Sequence, residues 1–494
     1  MAVTVKNYMT SISKASRTVH GAVIAVAVTT LSACAVGPDF QRPDVPDVDR
    51  YGVTPAPATI GTQGVQSQRL QEGAEVPADW WTAFQSPALN EAVAQALAHN
   101  QTLAAARASV DQALALVEAR TGARYPQIDL DASVGRQKLG SRFLGTFPKP
   151  PPFTFYAFGP AVSYTLDYTG GVKRSIEQQR ALADFQLHEG QAAQISVAGN
   201  VVMQALAVAA HQTEIDTMEE LLENDRRNVE MIQAAFDAGS VSKVDVLIAQ
   251  SQLANDETLL PPVRRQLNAA RNALAVLMGQ PPAQAQSGFE LKNFRLPQQL
   301  PLTLPAELVR RRPDILAAES QLHAATAAVG VATADLYPRI TLTAGFSQES
   351  VDTSTLFDAE NSAWSIIGGL TAPLFDGGKL RAEKRAALAA LSVQAARYQQ
   401  VVLESFAQVA DALDAAQQSS EQFAAQSKAL NVAEENLELT RESFNEGFAN
   451  VLQVLDSERL YQQARLGYVR AEAQRLADTA QLFVALGGAQ PETR

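Results

Sequence analysis

The side chains able to make or break bonds are few in this 494-residue chain, and their spacing says what they can do. Its five histidines, His20, His99, His188, His211 and His323, are scattered, with no H-E-x-x-H pair to set two imidazoles around a zinc ion. The chain has no P-loop to cradle phosphates, no G-x-G-x-x-G and no G-x-S-x-G nucleophile turn. One cysteine, Cys34, is left as a reactive atom, preceded by Leu31-Ser32-Ala33. A single thiol removes disulfide frameworks and clustered thiolate metal sites. Catalysis is therefore not expected, nor is any metal or organic cofactor. The chemistry that remains is modification of one thiol.

Residues 1–33 show how that thiol is used. They carry Lys6, Lys14 and Arg17, no acidic residue, and the apolar run Gly21-Ala22-Val23-Ile24-Ala25-Val26-Ala27-Val28. The run is too short for a membrane-spanning helix and has the layout of an export signal. Leu31-Ser32-Ala33-Cys34 resembles the signal box of bacterial lipoproteins, in which the cysteine is diacylated after cleavage before it. Residue 35 is Ala rather than the Asp that resembles an inner-membrane retention signal. The resemblance implies delivery to the outer membrane, with a covalent lipid on Cys34.

Composition narrows the partners. Hydrophobic residues make up 46% and charged residues 19%, which excludes a disordered chain and a polytopic helical membrane protein. The net charge is −12, and −15 once the three leading positive charges are removed. The basic footprint that nucleic acid requires is missing.

The elements around Cys34 come from a duplicated chain. Tyr125-Pro126-Gln127-Ile128-Asp129-Leu130 returns 212 residues later as Tyr337-Pro338-Arg339-Ile340-Thr341-Leu342. Gly170-Gly171 returns as Gly377-Gly378. Phe236-Asp237-Ala238-Gly239 with Val244-Asp245-Val246-Leu247 returns 208 residues on as Phe444-Asn445-Glu446-Gly447 with Leu452-Gln453-Val454-Leu455. Leu274-Ala275-Val276-Leu277-Met278-Gly279 matches Leu482-Phe483-Val484-Ala485-Leu486-Gly487. These matches divide the chain into a signal peptide (1–33), a tethered segment (34–85), a first repeat (86–302), a second repeat (303–488) and a tail (489–494).

Each half reads helix, strand, strand, long helix, turn, helix. In the first, Ser86 and Pro87 fit N-cap and N1 of a helical pattern running to about Ala123. In the second, Leu304-Pro305 and Arg312-Pro313 lead into an Ala-rich helix ending near Leu336. A Tyr-Pro pair closes each. Ile128, Leu130, Ala132 and Val134 then alternate with Asp129, Asp131 and Ser133, as do Ile340, Leu342, Ala344 and Phe346 with Thr341, Thr343, Gly345 and Ser347. Second strands are expected at 153–166 and 364–374, where Phe153, Phe155, Tyr156, Phe158, Tyr164 and Trp364 gather. In an exported lipoprotein, dyad alternation over about ten residues with aromatics suits transmembrane strands. Four strands cannot close a barrel, and lipid does not tolerate open edges. The smallest bacterial barrels have about eight strands, so two chains or more must share one, and three would give twelve.

Uninterrupted helical patterns cover about 173–236 and 379–444, each about 90–100 Å long at 1.5 Å per residue. Ile195, Val202, Leu206 and Ala209 follow at steps suited to packed helices. Gly239 and Gly447 supply turns, and the chain returns along 244–278 and 452–486, the first return being interrupted at Pro261-Pro262.

Together these blocks resemble the outer-membrane efflux factor family (TolC/OprM-like), and most closely its NodT-like lipoprotein branch serving resistance-nodulation-division (RND) pumps. The resemblance rests on Cys34-Ala35-Val36-Gly37-Pro38-Asp39-Phe40 with Arg42-Pro43, Asp79-Trp80-Trp81, Arg310-Arg311-Arg312-Pro313-Asp314-Ile315, Leu374-Phe375-Asp376-Gly377-Gly378 and the paired Phe-x-x-Gly turns. It implies a mixed, mainly α fold: a homotrimer with a twelve-stranded barrel continued by a helical tunnel. The implied activity is passive exit of small molecules, with a periplasmic adaptor protein and an inner-membrane RND-type transporter as partners and outer-membrane lipid as surroundings. The adaptor would meet Ala238, Gly239 and Ser240 and Glu446, Gly447 and Phe448. Asp245 resembles a family aspartate of the closing links and Asp456 one that lines the constriction, where three copies would form an acidic ring. The chain departs from the family pattern at Phe444, Ala449 and Gln453, where a tyrosine, a basic residue and a second aspartate are expected. A type I protein-secretion duct and a structural periplasmic coiled-coil lipoprotein are the competing readings. Replacing Cys34→Ser is expected to abolish metabolic labelling by fatty acid, and persistent label would remove the lipoprotein reading.

Overall fold

The computed structural model describes residues 35–53, 57–61, 67–138, 151–284 and 288–488. The expected signal peptide at 1–33, the lipid site at Cys34 and the tail at 489–494 lie outside the described residues. The chain forms two compact units, one from Met1–Arg42, Asp111–Asp184 and Glu319–Arg397, the other from Pro43–Val110, Phe185–Ala318 and Tyr398–Arg494.

The first unit carries a four-stranded antiparallel sheet of β3 (Gln127–Gln137), β4 (Phe153–Leu166), β6 (Arg339–Ser350) and β7 (Ser362–Thr371), in that spatial order. Cross-strand partners project to the same face. Leu130 opposite Pro160, Val162 opposite Ala344, and Phe346 opposite Trp364 therefore build one continuous face with Ile128, Tyr164, Leu342, Ile366 and Leu370. That face is apolar and open, with Trp364 75% exposed. The opposite face carries Asp129, Asp131, Ser133, Ser163, Thr341, Thr343, Glu349 and Ser365, interrupted by Ile367 and Phe155. The β4–β6 ladder skips Gly159 and Pro160, the latter having no N–H to donate, and resumes in the same register. The aromatics expected to cluster are divided by the pleat, since Phe153 and Phe155 fall with the polar set. The last strand covers Ser362–Thr371 rather than 364–374, and Pro373 follows it.

The segment after Cys34 is fixed on this unit. Ala35 lies against Gly170, and Gly37 against Gly330; a Cβ added at Gly37 would collide with the Gly330 backbone, and one at Gly330 would press on the Arg174 side chain. The Val36 N–H donates to the Thr169 carbonyl at 2.9 Å. Phe40 stacks on His323 at 4.4 Å, and Arg174 bridges Asp39 (2.5 Å) and Glu177 (2.8 Å). Arg42 meets Glu319 at 2.8 Å.

Helices carry most of the remaining chain. α1 (Pro87–His99) starts on the Ser86 cap, whose Oγ accepts from Leu89 N–H, and α2 spans Gln101–Gly122. A single helix to Ala123 was the expectation. Asn100 divides it, because its Oδ1 caps the N–H groups of Thr102 and Leu103 while its Nδ2 donates to the Leu277 carbonyl at 2.8 Å. α3 (Gly171–Asp237) has 67 residues and starts where both Asp167 oxygens accept from Val172 and Lys173 N–H. The return divides into α4 (Lys243–Glu257) and α5 (Leu260–Leu277), with Pro261 and Pro262 in the first turn of α5. α6 (Pro305–Arg311) and α7 (Pro313–Ala334) precede β6; α8 (Lys379–Asn445), again 67 residues, and α9 (Val451–Ala485) follow β7. Asp376 caps α8 through the N–H groups of Gly378 and Leu380, with Gly377 and Gly378 at φ of 67° and 86°.

The second unit holds the large core. It includes Val201, Val202, Ala205, Leu206 and Ala209 of α3 with Trp80, Phe84, Leu89, Leu274, Val409 and Phe483. Trp80 of the Asp-Trp-Trp motif stacks on Phe483 at 5.3 Å. A small sheet of β1 (Thr59–Ile60), β2 (Gln68–Glu72) and β5 (Gln299–Leu302) joins it, an element too short to show as periodicity. The Arg-Pro-Asp motif is structural here. Buried Arg312 donates to the Ala485 carbonyl (2.7 Å), to Gln408 Oε1 (2.7 Å) and to both oxygens of Asp314. Arg312→Ala removes the buried donor from this cluster, leaving Asp314 only the Ile315 N–H among the described residues, and is expected to cost about 3–5 kcal/mol, read from denaturant unfolding in detergent.

Candidate functional site

The residues singled out by sequence sit on two helical hairpins, both in the second unit. At the first, α3 ends on a glycine cap: Gly239 has φ +76°, its N–H donates to the Phe236 carbonyl, and Ser240 N–H reaches the Ala235 carbonyl. α4 then starts on Ser242. Asp245, at the third helical position, accepts from Ser242 N–H and Ser242 Oγ, each at 2.8 Å, and Asp245 N–H returns a bond to Ser242 Oγ. This is a capping box.

The second hairpin repeats the device. Gly447 has φ +83°, its N–H donates to the Phe444 carbonyl, and Phe448 N–H to the Ser443 carbonyl. Asn450 caps α9, with Gln453 N–H donating to Asn450 Oδ1 at 3.0 Å and Asn450 N–H to Gln453 Oε1 at 2.8 Å. Gln453 thus does for α9 what Asp245 does for α4, without charge. The Phe448 ring is 84% exposed at the turn, with Ala238, Ser240 and Glu446 also exposed. The hairpins meet through Ile232, Val246 and Ala249, against which Phe236, Val451 and Leu455 pack.

Those hairpins end a chain whose two halves share one sequence plan, and the comparisons agree. A family model described as outer membrane efflux protein matches residues 92–280 and 304–488. The chain belongs to the outer membrane efflux protein family. It is 29% identical over 464 residues to the toluene efflux pump outer membrane protein TtgI of Pseudomonas putida, covering 94% of this chain and 97% of that protein. To the cation efflux system protein CusC of Escherichia coli it is 27% identical over 465 residues, covering 93% and 96%. The solved outer-membrane channel OprN superposes with a TM-score of 0.82 at 28% identity, covering 93% of this chain and all of that one.

In this efflux-family chain the other expected gate residues are also engaged locally. Asp456 is paired with Arg459 one turn along α9, at 2.7 Å. Phe444 gives its carbonyl to the glycine cap and leaves its ring partly exposed. The capping partners Ser242 and Asn450 and the counter-charge Arg459 were missed in the sequence, although each carried a signal: a polar residue three before Asp245 or Gln453, and an opposite charge three after Asp456. The bonds from the Ser242 side chain, followed by its backbone N–H, hold the Asp245 carboxyl below the usual aspartate range. A depressed carboxyl contributes stability that is present above its unfolded value and is lost as pH falls through the folded one. The α4 cap is therefore expected to weaken in acid and the Gln453 cap to be unmoved, seen as hydrogen exchange at 243–246 against 451–454. Asn450→Ala is expected to cost about 1 kcal/mol at the second cap.

Proposed function

We propose that the chain is the outer-membrane exit duct of a tripartite efflux pump, passing small molecules delivered by an inner-membrane RND-type transporter through a periplasmic adaptor. The observation that carries this is the sheet: an apolar face that crosses all four strands, with polar residues such as Gln348 and Ser350 only at one end, and with both outer strands, β3 and β7, unpaired on their far sides among the described residues. An open apolar face of that width calls for an apolar solvent, and in lipid each edge must find a partner. A homotrimer supplies it, β3 of one copy pairing with β7 of the next, to give twelve strands. A structural coiled-coil lipoprotein has no use for such a face.

The lipid anchor at Cys34 is part of the proposal. Its support is the position of Ala35, the adjoining residue, beside Gly170 at the step from β4 to α3, where strand passes into helix. The turns around Gly239 and Gly447 are the proposed adaptor contacts. TtgI and CusC carry toluene and cation in their names and resemble this chain to similar degrees, which supports placing substrate choice in the transporter rather than in the duct.

Purified protein is expected to migrate as a heat-sensitive trimer and to conduct ions in planar bilayers once the gate is opened, and deletion is expected to raise sensitivity to toxic compounds. No conductance under any gate-opening treatment, with unchanged sensitivity and accumulation, would overturn the duct.

A further inference from the structure

Asp225 of α3 and Asp256 of α4 occupy mirror positions about the first hairpin turn, each one residue before a member of the Arg226–Glu257 pair that joins the two helices at 3.4 Å, and the Asp256 carboxyl acts on that of Asp225. Asp225 is 8% exposed, and its Oδ2 has no donor among the described residues. Asp256 Oδ2 accepts from Gln252 Nε2 at 2.7 Å. Two carboxylates can only accept, so a bond between them needs a proton. The surrounding charges do not remove that need. Glu458 of α9 adds a third carboxyl, and it already holds Arg441 of α8 at 3.2 Å and Asn228 of α3 at 3.3 Å. Arg226 of α3 is paired with Glu257 of α4 at 3.4 Å. Burial first, then the Asp256 bond and the Asp256 and Glu458 charges, push Asp225 up from 3.8 to about 7.

The position of the pair gives the proton leverage. α4 ends one residue past Asp256; Thr258 and Leu259 keep helical dihedrals but tighten to bonds onto the carbonyls of Asn255 and Asp256, and Pro261 and Pro262 have no N–H to continue the ladder. Between the pair and the turn, the buried apolar residues are Ile232, Val246 and Ala249. With so small an apolar core, local opening is set by a few polar contacts.

We infer that Asp225 and Asp256 form a proton-binding site in which one shared proton fastens α4 to α3, and that its release frees α4 to pivot at Thr258–Leu259. The folded hairpin binds this proton more tightly than the opened one, so the attachment is strongest in acid and weakens as pH rises towards 7. The site stands on the protomer's geometry, while its effect on passage rests on the duct reading above.

Hydrogen exchange of the full-length purified protein between pH 5 and 9, corrected for the intrinsic rate, reads the amides of α4 directly. Protection is expected to fall about tenfold per pH unit from 5 to 7 and then level off. Asp225→Asn and Asp256→Asn each put an amide donor in place of the proton, and each is expected to keep the pH 5 protection throughout. Should one variant fail to fold, the other places the same amide between the same helices. Glu458→Gln removes a neighbouring charge and is expected to move the levelling point to lower pH. A flat wild-type profile overturns the site, as does an asparagine variant that follows the wild-type curve. A protein that conducts nothing still gives this profile, so loss of the duct reading and loss of the proton site are told apart.

Discussion

Hydrogen bonding of the backbone where water is absent is the constraint on which this molecule turns. The chain builds four strands of this sheet and pairs their inner edges, but β3 and β7 each keep a row of N–H and C=O groups with no neighbour among the described residues. In water those rows would be hydrated at little cost; beside hydrocarbon each group left alone costs several kcal/mol. Together with the apolar face, this makes the protomer incomplete as a membrane structure, and the proposed trimer follows from that deficit. The duplication halves the design problem, since one hairpin plan used twice supplies both the strands and the helices that continue from them.

The same requirement for satisfied backbone groups shapes the far ends of the helices. Four helix ends meet at the two turns, and each set of free N–H and C=O groups is closed by short-range chemistry: a glycine in the left-handed region, then a polar side chain three residues before its partner. Because the caps are local, the hairpins hold their form with only a minor apolar core beneath them. Stability is therefore graded along α3. Its middle is packed in the large apolar core, whereas its end depends on caps, ion pairs and a minor core.

Much of this was legible before any coordinates. Long uninterrupted patterns, paired Phe-x-x-Gly turns and dyad strands placed the main elements to within a few residues, because such periodicities average over many side chains. What the sequence hid was decided by single atoms. Asn100 splits an apparently continuous helix by offering its side chain to two amides and a distant carbonyl. The strands β1, β2 and β5 are two to five residues long and pair across more than two hundred positions. Among the expected gate residues, Asp245, Gln453 and Asp456 were found as residue types, but their local roles came from partners three positions away that periodicity does not report.

The strap that begins at Ala35 has one more consequence. Its first residue is fixed beside Gly170, and Gly37 is wedged against Gly330 where no side chain fits. A neighbouring Cα lies only about 3.8 Å away along the chain. The proposed acyl chains on Cys34 would therefore hang on a leash one residue long. Such an attachment would work as a depth gauge, tying the height of the bilayer surface to the end of β4, so that lipid and the proposed barrel would enter the membrane in register.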